Sequence, residues 1–170
     1  MKPVYDHLVS AEAWSPGLFS EKAFVQLDKV VSVTRSDASF SDEIDKHLLS
    51  RLSGGYRTFL TIDRQAIRPD LEAKRHRAAI LENGGLSVQL LGIGVNGHIG
   101  FNESGCEPDS RCRVTKLAKS TLERNGYAPG TRAVTLGIAE ITSAQRIIMV
   151  ATGAAKSPAI AAIIEGSQST

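Results

Sequence analysis

Leu90–Gly105, reading LLGIGVNGHIGFNESG, decides how the rest of this 170-residue chain is understood. Leu86, Val88, Leu90, Leu91 and Ile93 make an apolar strand that runs into Gly92, Gly94 and Gly97 and then delivers Asn96, His98, Asn102 and Glu103 within eight residues. An imidazole, a carboxylate and two amides crowded onto one turn after a buried strand are a poor way to make a core and a good way to make a site. The backbone at Gly94 and Gly97 can approach a small ligand closely while the side chains converge on it. His98 and Glu103 are the natural acid and base pair.

Upstream, the pattern alternates. Val4–Ala13 predicts a short helix broken at Ser15-Pro16-Gly17, and Ala23–Leu27 (AFVQL) a strand ending at Asp28, which puts a carboxylate at the edge where open parallel sheets bind ligands. Ser41–Leu52 follows as an amphipathic helix capped by Ser41, then Thr58–Ile62 as a strand and Asp70–Glu82 as a second helix leading into Leu86. Downstream, Ala133–Leu136 and Arg146–Ala151 are expected as strands, the second of them buried, with Ile138–Ser143 a turn of helix or a loop between them. Thr152-Gly153 turns the chain into a helix starting near Lys156. The GAAKS run is not a nucleotide P-loop, because Ala155 stands where that motif needs glycine. It leaves a strand, a glycine turn and a helix start carrying an ammonium, a reasonable seat for phosphate. The alternation predicts one α/β domain over residues 1–170: an open, mostly parallel, Rossmann-like sheet with helices on both faces.

Composition excludes several classes. Twenty basic and eighteen acidic side chains are interspersed for a formal net charge of +2, so no concentrated field points to nucleic acid or an anionic membrane. The basic-leaning stretch from Arg64 to Arg77 is interrupted by Asp70 and Glu72 and has no interleaved aromatics for base stacking. Cys106 and Cys112 match neither a redox pair nor a zinc half-site and are expected as free thiols. The N-terminus has no apolar signal region and no run approaches the ~20 apolar residues that span a bilayer, so the expectation is a cytoplasmic protein acting on a small molecule.

GIGVNGHIGFNESG closely resembles the signature of the glucosamine-6-phosphate deaminase and galactosamine-6-phosphate isomerase family, and the resemblance extends over most of the chain. It implies interconversion of an amino-sugar 6-phosphate between aldose and ketose, with or without loss of ammonia. No metal or redox cofactor is required, and family members often form oligomers. It further implies that Asp28 removes the C2 proton and that His98 opens the sugar ring while Asn96 and Glu103 hold the imidazole. Lys156 would bind the substrate phosphate, and the Arg111–Arg113 run resembles another family stretch able to do so.

The chain also departs from the family. Lys29 and Val30 follow Asp28 where an acidic residue and an aromatic are usual, and a lysine there is expected to weaken the base. Ser104 stands in place of a proline, and Asn96 where several members carry aspartate. The family's first strand with its glycine-rich phosphate loop, and at least one strand after GSQST, have no counterpart here, which leaves a non-catalytic relative or a sugar-phosphate-binding module as the alternative. A 6-phosphogluconolactonase-type hydrolase is disfavoured by Phe101-Asn102-Glu103.

Overall fold

The computed structural model describes residues 1–31, 40–103 and 105–166; Ser104 and the GSQST stretch beyond Gly166 lie outside the described residues. The elements run α1 (Lys2–Trp14), β1 (Ala23–Val25), β2 (Asp28–Val31), α2 (Phe40–His47), β3 (Thr58–Leu60), α3 (Pro69–Glu82), β4 (Val88–Gly92), β5 (Arg113–Lys116), α4 (Lys119–Asn125), β6 (Arg132–Thr135), α5 (Ile138–Thr142), β7 (Arg146–Val150) and α6 (Ser157–Glu165). Strand β1 pairs in parallel with β3, and β4 with β7. These pairs form the open Rossmann-like α/β part that the alternation anticipates.

Alternation along β1 and β3 explains why helices lie on both faces. Phe24 and Phe59 point to one side, where Leu48, Leu49 and Leu52 pack with Tyr5, Leu8 and Val9 of α1. Val25 and Leu60 point to the other, into a core built from Ala73 and Ile80 of α3, Leu91 of β4, Val134 and Leu136 around β6, and Ile141 of α5. Successive strand residues face opposite ways, so a three-residue strand serves two cores. Glu12, at the end of α1, fastens the first helix to the β3 approach: its Oε1 accepts from the backbone of Gly17 at 3.0 Å and of Gly54 at 3.1 Å.

The antiparallel sheet is what the alternation does not anticipate. Strand β6 sits between β2 and β5 and pairs antiparallel with both. The strand read as Ala23–Leu27 therefore stops at Val25, and Asp28 does not end it but opens β2, opposite Thr135. Gln26 supplies the break, because its side-chain Oε1 accepts from Ile62 N at 3.0 Å and its backbone carbonyl accepts from buried His76 at 2.8 Å. The chain is held at the joint by side-chain bonds, which periodicity cannot reveal.

Three further expectations are corrected. Helix α2 already includes Phe40, so Ser41 lies inside it rather than capping it, and Ser41 Oγ accepts from Lys29 Nζ at 2.9 Å. The regular helix ends at His47, and Leu49–Arg51 continue as a tight three-residue turn. Strand β7 is not buried: Ile147 is 43% and Ile148 44% exposed, as are Val88 of β4 and Ile163 and Ile164 of α6 to similar or greater degrees. No helix among the described residues is long and apolar enough to cross a membrane.

Candidate functional site

The loop after β4 folds around an internal hydrogen bond from Gly94 N to the carbonyl of His98, 2.8 Å long. Gly94 is obligatory for this: a Cβ there would fall on the imidazole of His98. Gly97 turns the loop with φ +88°, a torsion that L side chains rarely adopt. The loop's polar side chains lie close together around these two glycines.

Those side chains form a relay. His98 Nδ1 lies 2.6 Å from Asn96 Oδ1, and Asn96 Nδ2 donates to Glu103 Oε2 at 3.1 Å. Because the amide nitrogen of Asn96 is committed to the carboxylate, its oxygen faces the ring, so Nδ1 must carry the proton and Nε2 is left as the available base. Glu103 Oε2 is also 3.7 Å from Nδ1. Its second oxygen accepts from Thr121 Oγ1 of α4 at 3.1 Å. Asn102 stays out of this chain and instead donates to the carbonyls of Ile99 at 3.0 Å and Leu136 at 2.8 Å, tying the loop to the end of β6.

Asp28 reaches the same place from another sheet. It lines a cavity of about 420 Å³ together with Gly94, Asn96, His98 and Lys156. Burial pushes its carboxyl up to about 7, since removing the group from water disfavours the charged form. Gly100, at φ +61°, lets the loop pass close by: a Cβ there would stand 3.2 Å from Asp28 Oδ2 and 2.9 Å from Thr135 Oγ1. Lys29 is not among the causes that shift the Asp28 carboxyl, which is raised rather than lowered. Neighbouring residues on a strand face opposite ways, and the Lys29 ammonium is spent on Ser41 while Asp28 faces the cavity.

Lys156 lines the same cavity. It ends a short turn that Gly153 opens at φ +86°, just before α6, and its Nζ donates to the carbonyl of Ile93 at 2.6 Å. Arg124 of α4 lines the same space. Arg111 and Arg113 do not. Arg111 lies 3.9 Å from Glu140, and Arg113 donates to Asn102 Oδ1 at 2.8 Å and to Cys106 Sγ at 3.0 Å, so both serve the frame behind the loop. Among the described residues, no group of three or more His, Cys, Asp or Glu side chains is placed to hold a metal ion. Thr121 and Arg124 escaped the sequence reading because the run from Arg113 to Asn125 has no clear apolar period. The one readable signal was Gly126, which ends α4 at φ +66° as a left-handed cap.

Comparison with known proteins gives the family of the chain. Residues 2–170 match the family of glucosamine-6-phosphate isomerases and 6-phosphogluconolactonase. The chain is 44% identical over 98 residues to a glucosamine-6-phosphate deaminase of Rhodopirellula baltica, covering 54% of this chain and 39% of that protein. It is 34% identical over 172 residues to glucosamine-6-phosphate deaminase 2 of Giardia intestinalis, covering 96% of this chain and 65% of that one. The chain thus spans less than two thirds of the length of either relative. Among solved structures, a monomeric glucosamine-6-phosphate deaminase of the NagB superfamily superposes with a TM-score of 0.84 at 27% identity, over 99% of this chain and 73% of that one. A 6-phosphogluconolactonase from Thermotoga maritima shares the fold, with a TM-score of 0.73 at 20% identity over 98% and 72% of the two chains.

Proposed function

Since the chain belongs to the family of glucosamine-6-phosphate isomerases and 6-phosphogluconolactonases, we propose that it converts an amino-sugar 6-phosphate from aldose to ketose, with release of the amine as ammonia. The observation that carries this reading is the meeting of Asp28, the Asn96–His98–Glu103 relay and Lys156 on one cavity. The reaction needs two proton carriers on different atoms and an anchor for the phosphate, and each has a counterpart here.

His98, protonated on Nδ1 through Asn96, takes the anomeric hydroxyl proton on Nε2 and returns a proton to the ring oxygen, opening the ring. Asp28, once ionised, removes the C2 proton as the C1 oxygen takes a proton from water; the resulting enolamine is protonated at C1 by the carboxylic acid just formed, and the nitrogen returns a proton to the hydroxide. A carboxyl near 7 exists in both forms around neutral pH, which suits a group that must first accept and then give. The product is a ketose imine, whose C=N bond is hydrolysed by water to a ketone and ammonia. Lys156 and Arg124 are the cations placed to receive the phosphate, and Lys156 exchanges the Ile93 carbonyl for it. Glu103, held by two donors, fits this chemistry better than lactone hydrolysis, which does not call for a second carboxylate behind the histidine.

The test is turnover of glucosamine 6-phosphate and galactosamine 6-phosphate, following ammonia and the ketose 6-phosphate separately. Ketose formation from one sugar, lost in both His98→Ala and Asp28→Asn, supports the reading; ketose without ammonia limits it to isomerisation. Absence of turnover with both sugars at millimolar concentration defeats it.

A further inference from the structure

Within the reading of the site just given, we propose that Thr121 is a positioning residue for the imidazole of His98, acting through Glu103 and Asn96 across three hydrogen bonds. Thr121 belongs to α4, remote in sequence from the loop that carries the other three. Its side chain is 7% exposed, and its hydroxyl donates to Glu103 Oε1 at 3.1 Å. The other carboxylate oxygen, Oε2, accepts from Asn96 Nδ2 at 3.1 Å, and Asn96 Oδ1 faces His98 Nδ1 at 2.6 Å.

The geometry is a chain of constraints. A carboxylate with one oxygen engaged still rotates about its last bond. A second donor on the other oxygen fixes the plane. With that plane fixed, Oε2 remains an acceptor aimed at Asn96, and an amide facing an acceptor must turn its NH2 toward it. The amide oxygen is thereby turned to the ring, the proton is placed on Nδ1, and Nε2 is bare toward the cavity. Without the Thr121 hydroxyl the carboxylate swings, Asn96 is free to flip, and its NH2 then faces Nδ1. The ring must answer by carrying its proton on Nε2, the tautomer that cannot accept the sugar's proton.

The chain also couples the relay to the cavity wall. Ser120, Thr121 and Arg124 of α4 all line the cavity.

The deciding measurement is the tautomer of His98, from the nitrogen-15 shifts of its imidazole at a pH where the ring is neutral, with the signal assigned by its loss in His98→Ala. The expected result is a single Nδ1–H tautomer in the native chain, a mixture in Thr121→Val, which keeps the shape and removes the hydroxyl, and restoration in Thr121→Ser. If Thr121→Val does not fold, Thr121→Ala is read the same way. For a chain that turns over either sugar phosphate, Thr121→Val lowers kcat about tenfold with KM within about twofold, the loss expected from one hydrogen bond to a charged group. The nitrogen measurement requires no turnover, so an inactive chain refutes the proposed reaction and leaves the positioning role to be judged on the tautomer alone. An unchanged tautomer in Thr121→Val, or a failure of Thr121→Ser to restore it, overturns the proposal even if stability falls.

Discussion

Asp28 carries a cost that depends on pH in a definite direction. Its carboxyl titrates near 7 in the folded chain and near 3.8 when unfolded, so between those values the folded state holds a proton that the unfolded state has lost. Stability from this group is fully present below about pH 4 and declines as pH rises to about 7, by up to roughly 4 kcal/mol. Replacing Asp28 with Asn removes the dependence. In urea titrations at pH 4.5, 6 and 8, the stability advantage of Asp28→Asn over the native chain therefore widens with pH; a constant difference would mean that the carboxyl is not desolvated. In the proposed reaction turnover should move the opposite way, since Asp28 must be ionised to act as the base, and kcat/KM is expected to climb through about pH 7. Gly94 is decided by space rather than charge. Gly94→Ala pushes the ring of His98 out of the relay and lowers turnover at least about a hundredfold, the loss of one general acid or base, while far-UV circular dichroism stays unchanged.

At the level of elements, apolar strands with the same look in sequence have different energetic weight. Leu136, completely buried at the end of β6, belongs to the main core, whereas Ile147 of β7 is 43% exposed. Leu136→Ala is expected to cost about 2 to 5 kcal/mol and Ile147→Ala within about 0.5 kcal/mol in denaturant unfolding. The sequence made β4 and its loop legible because glycines, amides, an imidazole and a carboxylate have no reason to cluster in a core. It made α1 and α2 legible because their apolar residues keep a helical period, and β1, β3, β4 and β7 because short apolar runs alternate with helices. It left β2 fused to β1, since the joint is held by Gln26 and His76 rather than by a turn residue. It left β5 and α4 unread, because Arg113–Asn125 mixes charge and apolar residues without a period. And it misjudged β7, since an apolar run says what a strand would bury but not whether anything lies over it.

For the whole molecule, ligand and fold share one free energy. A sugar phosphate that bridges Lys156 after β7, the relay after β4 and Asp28 on β2 would tie the β4–β7 pair to the antiparallel sheet, and so would bind only the folded chain. At about 100 times its dissociation constant it should add about 2.7 kcal/mol, raising the melting temperature by roughly 5 to 10 °C for a chain of this size. Lys156→Ala should abolish most of that rise in a thermal scan, and an equal rise in the variant would move the phosphate elsewhere.

The pairing of Asp28 with Thr135 has one more consequence, for the birth of the protein. Strands β2 and β6 stand near opposite ends of the chain, so on the ribosome the N-terminal helices and β1 can begin to pack while the base has no sheet to sit in. Only when β6 has emerged can β2 be clamped and Asp28 carried into its dry place. Closing so long a loop makes this a late and slow event in folding, in the manner of nonlocal β topologies. The cavity is therefore among the last features a newborn chain acquires, and a nascent chain stopped before Thr135 should hold α1 and α2 and lack its site.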